Sequence, residues 1–459
     1  MKIYKMFLLL FAMAFLSCSD DDGALAQTFD YEQYGSAFAN MPAAKDAVIY
    51  QVNIRSFSPE GNLNGVRQKL SYIKDLGANV IYLMPIYPIA QINQAGANGS
   101  PYAVQDYKGI NPNFGTLEDL RALVNEAHQM DMAVVLDWVA NHTGYDNAWI
   151  TQHPDWYVLD AEGGFTPPPG TNWADVAQLD FTNKDMRKAM IDSMAYWVYN
   201  ANIDGFRCDA ADYVSQSFWA EANTAVRSIK KNQHLIMLAE GTRMNHFTAG
   251  FDYTFGFGFF HALETTFSDN LPATNLQDAN AAEYANNYND NWRIVRYTTN
   301  HDVNLSDGTP LELFNGANGS MAAFVVASYM KSVPMIYNAQ EIGYNQRIDY
   351  FSDTAPINWS NPNNDMLAQY KQLIAFRKSS KAVKEGTYTG YSSNAVSAFT
   401  MEKDGEKVLV IANLTNADTN YILPAQLSAT TWTNALTGNT AGLTSNISLA
   451  PYQYWILKN

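Results

Sequence analysis

From residue 46 to about residue 340 the chain alternates short apolar runs with longer stretches whose apolar positions recur at helical spacing. Val48-Ile49-Tyr50-Gln51-Val52, Val80-Ile81-Tyr82-Leu83 and Ala133-Val134-Val135-Leu136 are short and rich in β-branched and aromatic residues, so they are predicted to be strands. Gly205-Phe206-Arg207, Leu235-Ile236-Met237-Leu238, Ile294-Val295-Arg296-Tyr297 and Ser332-Val333-Pro334-Met335-Ile336 continue the series. Residues 65–76, 117–130 and 186–200 have the periodicity of helices. Repeated strand–helix units imply a parallel sheet covered by helices, and over this length a closed eightfold (β/α)8 TIM barrel is the expected α/β architecture.

Two stretches break the rhythm. Residues 144–180 are rich in Trp, Gly and Pro, include Pro167-Pro168-Pro169, and show no periodicity. A long irregular excursion after a barrel strand usually carries function. From residue 383 the pattern becomes short strands and turns, at 395–401, 407–413 and 452–457, as expected of a small antiparallel β-sandwich domain. The expected division is therefore a barrel over residues 46–382, interrupted by an insertion at 143–180 after the third strand, followed by a β domain over 383–459.

The N-terminus changes the picture of where the protein works. Lys2 and Lys5 precede an apolar run over residues 6–16, too short for a spanning helix and suited to a secretory signal. Ser17-Cys18 closes the run where a lipoprotein signal places its acylated cysteine, and Ser19-Asp20-Asp21-Asp22 begins a polar tether over residues 18–45. The acidic run resembles the surface-export tag of Bacteroidetes lipoproteins. It implies residues 1–17 as signal peptide, Cys18 as the lipidation site, and display at the cell surface from the outer membrane. Cys208 is the second of two cysteines, so no intramolecular disulfide is expected once Cys18 is acylated. A net charge of −16 argues against a nucleic-acid partner. The 28 Tyr and 10 Trp suit either sugar stacking or an aromatic core, and composition does not choose between them.

Chemistry-bearing residues gather where the apparent strands end, which is where barrel active sites lie. The third strand runs into Asp137-Trp138-Val139-Ala140-Asn141-His142, the fourth into Arg207-Cys208-Asp209, the fifth into Ala239-Glu240-Gly241, and the seventh into Asn300-His301-Asp302. One acid at a strand end is most often a cap; four clusters in barrel order are not explained that way. Together with Tyr50-Gln51-Val52-Asn53, Tyr102-Ala103-Val104-Gln105-Asp106-Tyr107, Asn113-Phe114-Gly115-Thr116 and the run from Pro334 to Gly343, these segments resemble the conserved regions of the α-amylase family, glycoside hydrolase family thirteen.

That resemblance implies a retaining hydrolase of α-glucosidic bonds in starch or maltooligosaccharides, with no cofactor required for the chemistry. Asp209 is implied as nucleophile, Glu240 as general acid/base and Asp302 as the third carboxylate. Tyr102, His142, Arg207 and His301 are implied as substrate-binding residues, and Asp137 as a support of the barrel mouth. The chemistry asks for the same pairing. A glycosidic oxygen leaves only when protonated, and the developing oxocarbenium carbon needs a carboxylate on its other face. On that reading Arg207, two residues before Asp209 and on the same strand face, keeps the nucleophile ionised while burial and neighbouring acids keep Glu240 protonated.

Several positions depart from the family pattern. Asp212-Tyr213 stand where the family usually has Lys-His, the Lys commonly touching leaving-group sugars. Asn141 matches a ligand of a structural calcium ion, but Gln178 stands where many calcium-binding members carry Asp. An α-glucosidase, a neopullulanase or a glucanotransferase would share the same acids, and a surface glycan-binding protein would usually lack one of them. Trp149, Trp156, Tyr157 and Trp173 are candidates either for sugar stacking or for the insertion's own core. Phe255-Gly256-Phe257-Gly258 is expected to be a barrel loop rather than a nucleotide site.

Overall fold

In the computed structural model the described residues are 27–230, 234–285, 289, 291–352 and 355–459, so the signal segment and Cys18 lie outside them. Eight parallel strands close into a barrel. In chain order they are β1 (Ile49–Val52), β2 (Val80–Leu83), β3 (Ala133–Trp138), β4 (Gly205–Cys208), β5 (Ile236–Ala239), β6 (Tyr253–Phe255), β7 (Arg293–Arg296) and β8 (Val333–Tyr337). Every residue of these strands is buried, because helices cover the outside and side chains fill the inside.

Local chemistry starts the covering helices. Thr116 and Asp119 form a reciprocal capping box on Leu117–Gln129, and Asn183 accepts from the Asp185 and Met186 N–H groups at the start of Lys184–Asn200. The single helix expected over 65–76 is two, Leu63–Arg67 and Leu70–Leu76. The Lys69 N–H bonds to the Val66 carbonyl three residues back, and that tightened turn ends the first helix. The sixth strand is a second difference. Phe255, expected in a loop, is the last residue of β6, and the helix Phe257–Ser268 follows Gly256 at once. A strand of three residues leaves too short a pattern to distinguish it from the aromatic run that follows.

The 139–204 segment between β3 and β4 contains a small antiparallel ribbon, His142–Gly144 against Val176–Gln178. Beyond the barrel, residue 383 falls in a short helix, Lys381–Glu385, and strand structure begins at Thr387. A six-stranded sheet and a two-stranded ribbon, Thr419–Ile422 with Asn446–Leu449, enclose a core that includes Val396, Leu409, Ile411, Tyr421 and Leu449. Residues of opposite parity, Phe399, Met401, Val408 and Val410, join the barrel's own core, so the strands Val396–Lys403 and Glu406–Asn413 are buried on both faces.

The register that matters to the site is set by Gly205. It begins β4 at φ +150°, and a Cβ there would lie 1.8 Å from the Ile236 carbonyl oxygen. Backbone approaches backbone, so no side chain can give way. Gly205→Ala is expected to destabilise the protein by about 3 kcal/mol or more. Thermal or denaturant unfolding of the purified variant checks this; a change within about 0.5 kcal/mol would contradict it.

Candidate active site

The strand ends deliver their acids in ladder register. Asp137 on β3 is the cross-strand partner of Arg207 on β4. The Asp209 N–H bonds to the Trp138 carbonyl at 2.8 Å and the Glu240 N–H to the Cys208 carbonyl at 2.9 Å, so each acid sits at the last rung between neighbouring strands. Arg207, 1 % exposed, lies beneath them. Its Nη1 donates to Asp137 Oδ1 at 2.6 Å and to Asp209 Oδ1 at 3.0 Å, while Nη2 is paired with Glu240 Oε1. The other Glu240 oxygen accepts the Ala210 N–H at 2.7 Å. Ala210 adopts φ 44°, a left-handed conformation costly for a residue with a Cβ, immediately after Asp209.

A second set of groups faces this one across the mouth. Tyr82 and Tyr102 both donate to Asp137 Oδ2, at 2.6 and 3.0 Å. Tyr102 Oη also lies 2.6 Å from His301 Nε2, and Gln51 Nε2 lies 2.7 Å from His301 Nδ1. With Gln51 donating to Nδ1, the His301 proton is on Nε2, aimed at Tyr102 and at Asp302 Oδ2, 3.3 Å away. Asp302, its side chain 48 % exposed, accepts the Tyr350 hydroxyl at 2.7 Å. Asn300 caps the helix that begins at His301 and so fixes the backbone of both residues.

Asp137, Arg207, Asp209, Glu240, Tyr102, His301 and Asp302 thus form one connected cluster. His142 stands beside it, bonded through the Tyr102 backbone and packed on Trp173 at a ring-centre distance of 5.5 Å. Among the four expected substrate-binding residues, Tyr102 is partly exposed, whereas His142, Arg207 and His301 are each 2 % exposed or less. Arg207 is therefore a positioning residue beneath the acids rather than a wall of the cleft. Within the insertion, Trp156 and Tyr157 are buried and Trp149 packs on Tyr107 and Trp156, leaving Trp173 as the member beside the site.

The electrostatics correct one expectation. Burial pushes the Asp209 carboxyl well above its usual range, with the Glu240 charge adding to the rise and Arg207 opposing it. Asp137 is pushed up to about 6, again mainly by burial against the pull of Arg207. The Arg207 charge opposes the rise at Asp209 without outweighing burial. Protons taken up here belong to the coupled group, not to one residue. Burial lowers His301 to about 3 and His142 to about 4, so both rings are neutral near pH 7.

Asn141, the residue expected to hold calcium, is buried beside His142. Asn141 Oδ1 is buried and has no protein partner, which is one neutral oxygen. Calcium takes about 6–8 oxygens, commonly with several carboxylates. Among the described residues no three His, Cys, Asp or Glu side chains gather around a point that could hold a metal.

The match to known proteins agrees with this geometry. Residues 19–163 and 170–429 match the family model described as the α-amylase catalytic domain. The chain belongs to the α-amylase family of glycoside hydrolases. It is 25 % identical to α-amylase 2 of Dictyoglomus thermophilum, over 93 % of this chain and 79 % of that protein. It is 26 % identical to a cyclomaltodextrinase of Thermoanaerobacter pseudethanolicus, over 77 % of this chain and 63 % of that protein. Among solved structures, an α-amylase from Lactobacillus plantarum superposes with a TM-score of 0.81 at 27 % identity, covering 91 % of this chain and 99 % of that one.

Sequence reasoning missed Tyr82, Tyr350 and the roles of Gln51 and Glu341. Glu341 is buried under the eighth strand end with Tyr50 and Tyr72 donating to it, and burial pushes it up to about 7. For Gln51 the available signal was a polar side chain inside an otherwise apolar strand.

His301 supplies a pH test. Its folded pKa lies below the unfolded value of about 6.5, so its contribution to stability is complete above that pH and is lost as pH falls. At pH 5 the loss is on the order of 2 kcal/mol. The stability gap between the wild type and His301→Gln is expected to narrow by that amount between pH 7.5 and pH 5. Denaturant unfolding at the two pH values measures it, and a constant gap would show that His301 is protonated normally in the fold.

Proposed function

We propose that this chain is a retaining hydrolase of α-1,4-glucosidic bonds in starch and maltooligosaccharides, with Asp209 as nucleophile and Glu240 as general acid/base. The observation that carries the reading is the convergence of both acids on the single guanidinium of Arg207. Sharing one cation holds them close. Retaining enzymes place their carboxyls about 5–5.5 Å apart, whereas inverting ones leave about 6.5–9.5 Å for a water.

In the free protein Glu240 is turned onto Arg207 and the Ala210 N–H. Double displacement requires one proton between the two acids. On this mechanism, substrate entry draws Glu240 off Arg207, the proton passes to Glu240, and Asp209 keeps the guanidinium. Glu240 then protonates the glycosidic oxygen while Asp209 attacks C1 and forms a glycosyl ester. Water, deprotonated by Glu240, releases the sugar with its α configuration restored. Asp302, oriented by Tyr350 and His301, takes hydroxyls of the attacked glucose, and Tyr102 offers its ring to the sugar face.

The cyclomaltodextrinase relative favours a second specificity, for short or cyclic maltooligosaccharides, over long starch chains. Product analysis on soluble starch, pullulan and maltoheptaose decides. Mixed short α-maltooligosaccharides from starch are expected, and Asp209→Asn should lower kcat by about 10⁴-fold or more. First-formed β products, or full activity in the variant, would overturn the mechanism; panose from pullulan would move the specificity without changing it.

The lipoprotein-like N-terminus supports display of this activity at the cell surface, held by acyl chains on Cys18. Cys18→Ala is expected to abolish labelling by a radioactive fatty acid and to leave the protein outside the membrane fraction. Undiminished labelling would refute the anchor.

A further inference from the structure

Strand β1 places one amide in the barrel interior. Gln51 is fully buried, with Tyr82 on β2 and Tyr337 on β8 as its cross-strand neighbours. Its Nε2 lies 2.7 Å from His301 Nδ1, yet its Oε1 is buried with no hydrogen-bond partner among the described residues. An apolar side chain would fill the same space without burying an unmatched oxygen, so the amide asks for a reason. The chain of hydrogen bonds that begins at Gln51 supplies one.

That chain has two self-consistent directions. Tyr102 has a single hydroxyl proton and two acceptors in reach, Asp137 Oδ2 at 3.0 Å and His301 Nε2 at 2.6 Å. In the first direction Gln51 donates to Nδ1, the ring proton sits on Nε2 and points at the Tyr102 oxygen, and Tyr102 donates to Asp137. Asp137 Oδ1 in turn meets Arg207 Nη1 at 2.6 Å, the nitrogen that also reaches Asp209. In the second direction every donor is reversed. Nδ1 donates to Gln51 Oε1, Tyr102 donates to a bare Nε2, and Asp137 Oδ2 keeps only the Tyr82 hydroxyl.

The carboxylates separate the two. Asp302 Oδ2 lies 3.3 Å from His301 Nε2, so it faces an N–H in the first direction and a repelling lone pair in the second. Asp137 holds both phenols only in the first. An amide serves either direction by presenting its N–H or its oxygen. At Gln51 the N–H is the end in use.

We propose that Gln51 is a positioning residue that fixes the direction of this chain: by donating to Nδ1 it denies that nitrogen a proton, keeps His301 a neutral Nε2–H donor, and so holds Asp302 in place for the hydroxyls of the attacked glucose. This rests on the sugar-gripping role proposed for Asp302. Gln51 is sealed from the mouth and acts only through His301. A carboxylate steadied by an N–H keeps its remaining lone pairs on the substrate, whereas one facing a bare nitrogen turns away and loses its aim.

The test reads the proton directly. In protein labelled with ¹⁵N-histidine, the seven imidazoles are observed by NMR near pH 7, and the His301 signal is the one lost in His301→Gln. The wild type is expected to carry a single proton on Nε2; a proton on Nδ1, alone or in addition, overturns the proposal. Gln51→Glu replaces the N–H by an acceptor. It is expected to put a proton on Nδ1 and to lower kcat on maltoheptaose about 100-fold, with a far smaller change in KM. Gln51→Met offers neither donor nor acceptor and is expected to fall between the two. A proton that stays put in Gln51→Glu, or one that moves while kcat is kept, overturns the positioning role. The tautomer is measured without substrate, so its failure is distinct from that of the proposed function, which falls if the wild type cleaves no α-glucan and takes the role of Asp302 with it.

Discussion

One buried guanidinium organises this active site. Arg207 is reached by carboxylates from three successive strands: Asp137 on β3, Asp209 after β4 and Glu240 after β5. Without the cation, three acids would face one another in a water-poor barrel mouth, where like charges repel far more strongly than in solvent. Even with it, burial raises Asp137 and Asp209 above the usual carboxylate range, against the pull of Arg207. A buried ion pair of this kind is poor evidence for stability. Its value lies in position, because each Arg207 nitrogen fixes a carboxylate to within a hydrogen bond. Gly205 makes the arrangement possible two residues earlier, by letting β4 lie close enough to β5 for the acids to share one rung.

Around that centre the protein places hydroxyls rather than further charge. Tyr82 and Tyr102 donate to Asp137, and Tyr350 donates to Asp302. The same device recurs where Tyr50 and Tyr72 donate to Glu341. A phenol stabilises a carboxylate without adding a cation that would compete with Arg207, and its ring keeps water out. His301 joins this shell as a neutral ring, held so by burial and by the nearby Arg207 charge, and passes the orientation of Gln51 on to Tyr102 and Asp302.

How much of this could be read from the residues depends on whether the signal was local. Seven barrel strands and the acids at their ends were legible because a buried parallel strand is a continuous apolar run and its first polar residue marks the mouth. The sixth strand was not, since three residues carry no period. Asp209, Glu240 and Asp302 announced themselves through neighbouring motif residues, whereas Tyr350 sits in a loop after the eighth strand and meets Asp302 only when the barrel closes. Protonation was the least legible. From sequence, Arg207 two residues from Asp209 suggested a pair, with Asp137 supporting the mouth beside it. Only the fold shows that Glu240 reaches the same guanidinium.

That shared guanidinium links substrate binding to chemistry. On the proposed function a glucan entering the mouth would carry no charge and would cover Glu240 and the half-exposed Asp302. Losing solvent strengthens every remaining electrostatic interaction there, and it raises the cost of leaving two neighbouring acids both ionised. On the proposed mechanism the proton goes to the acid that loses its hold on Arg207. Glu240 is the one able to move, because its side chain reaches Arg207 from across the strand gap, whereas Asp209 follows Arg207 directly on the same strand. On the proposed mechanism the neutral substrate thus does the sorting: by drawing Glu240 toward its glycosidic oxygen, it creates the acid and leaves the nucleophile paired with Arg207.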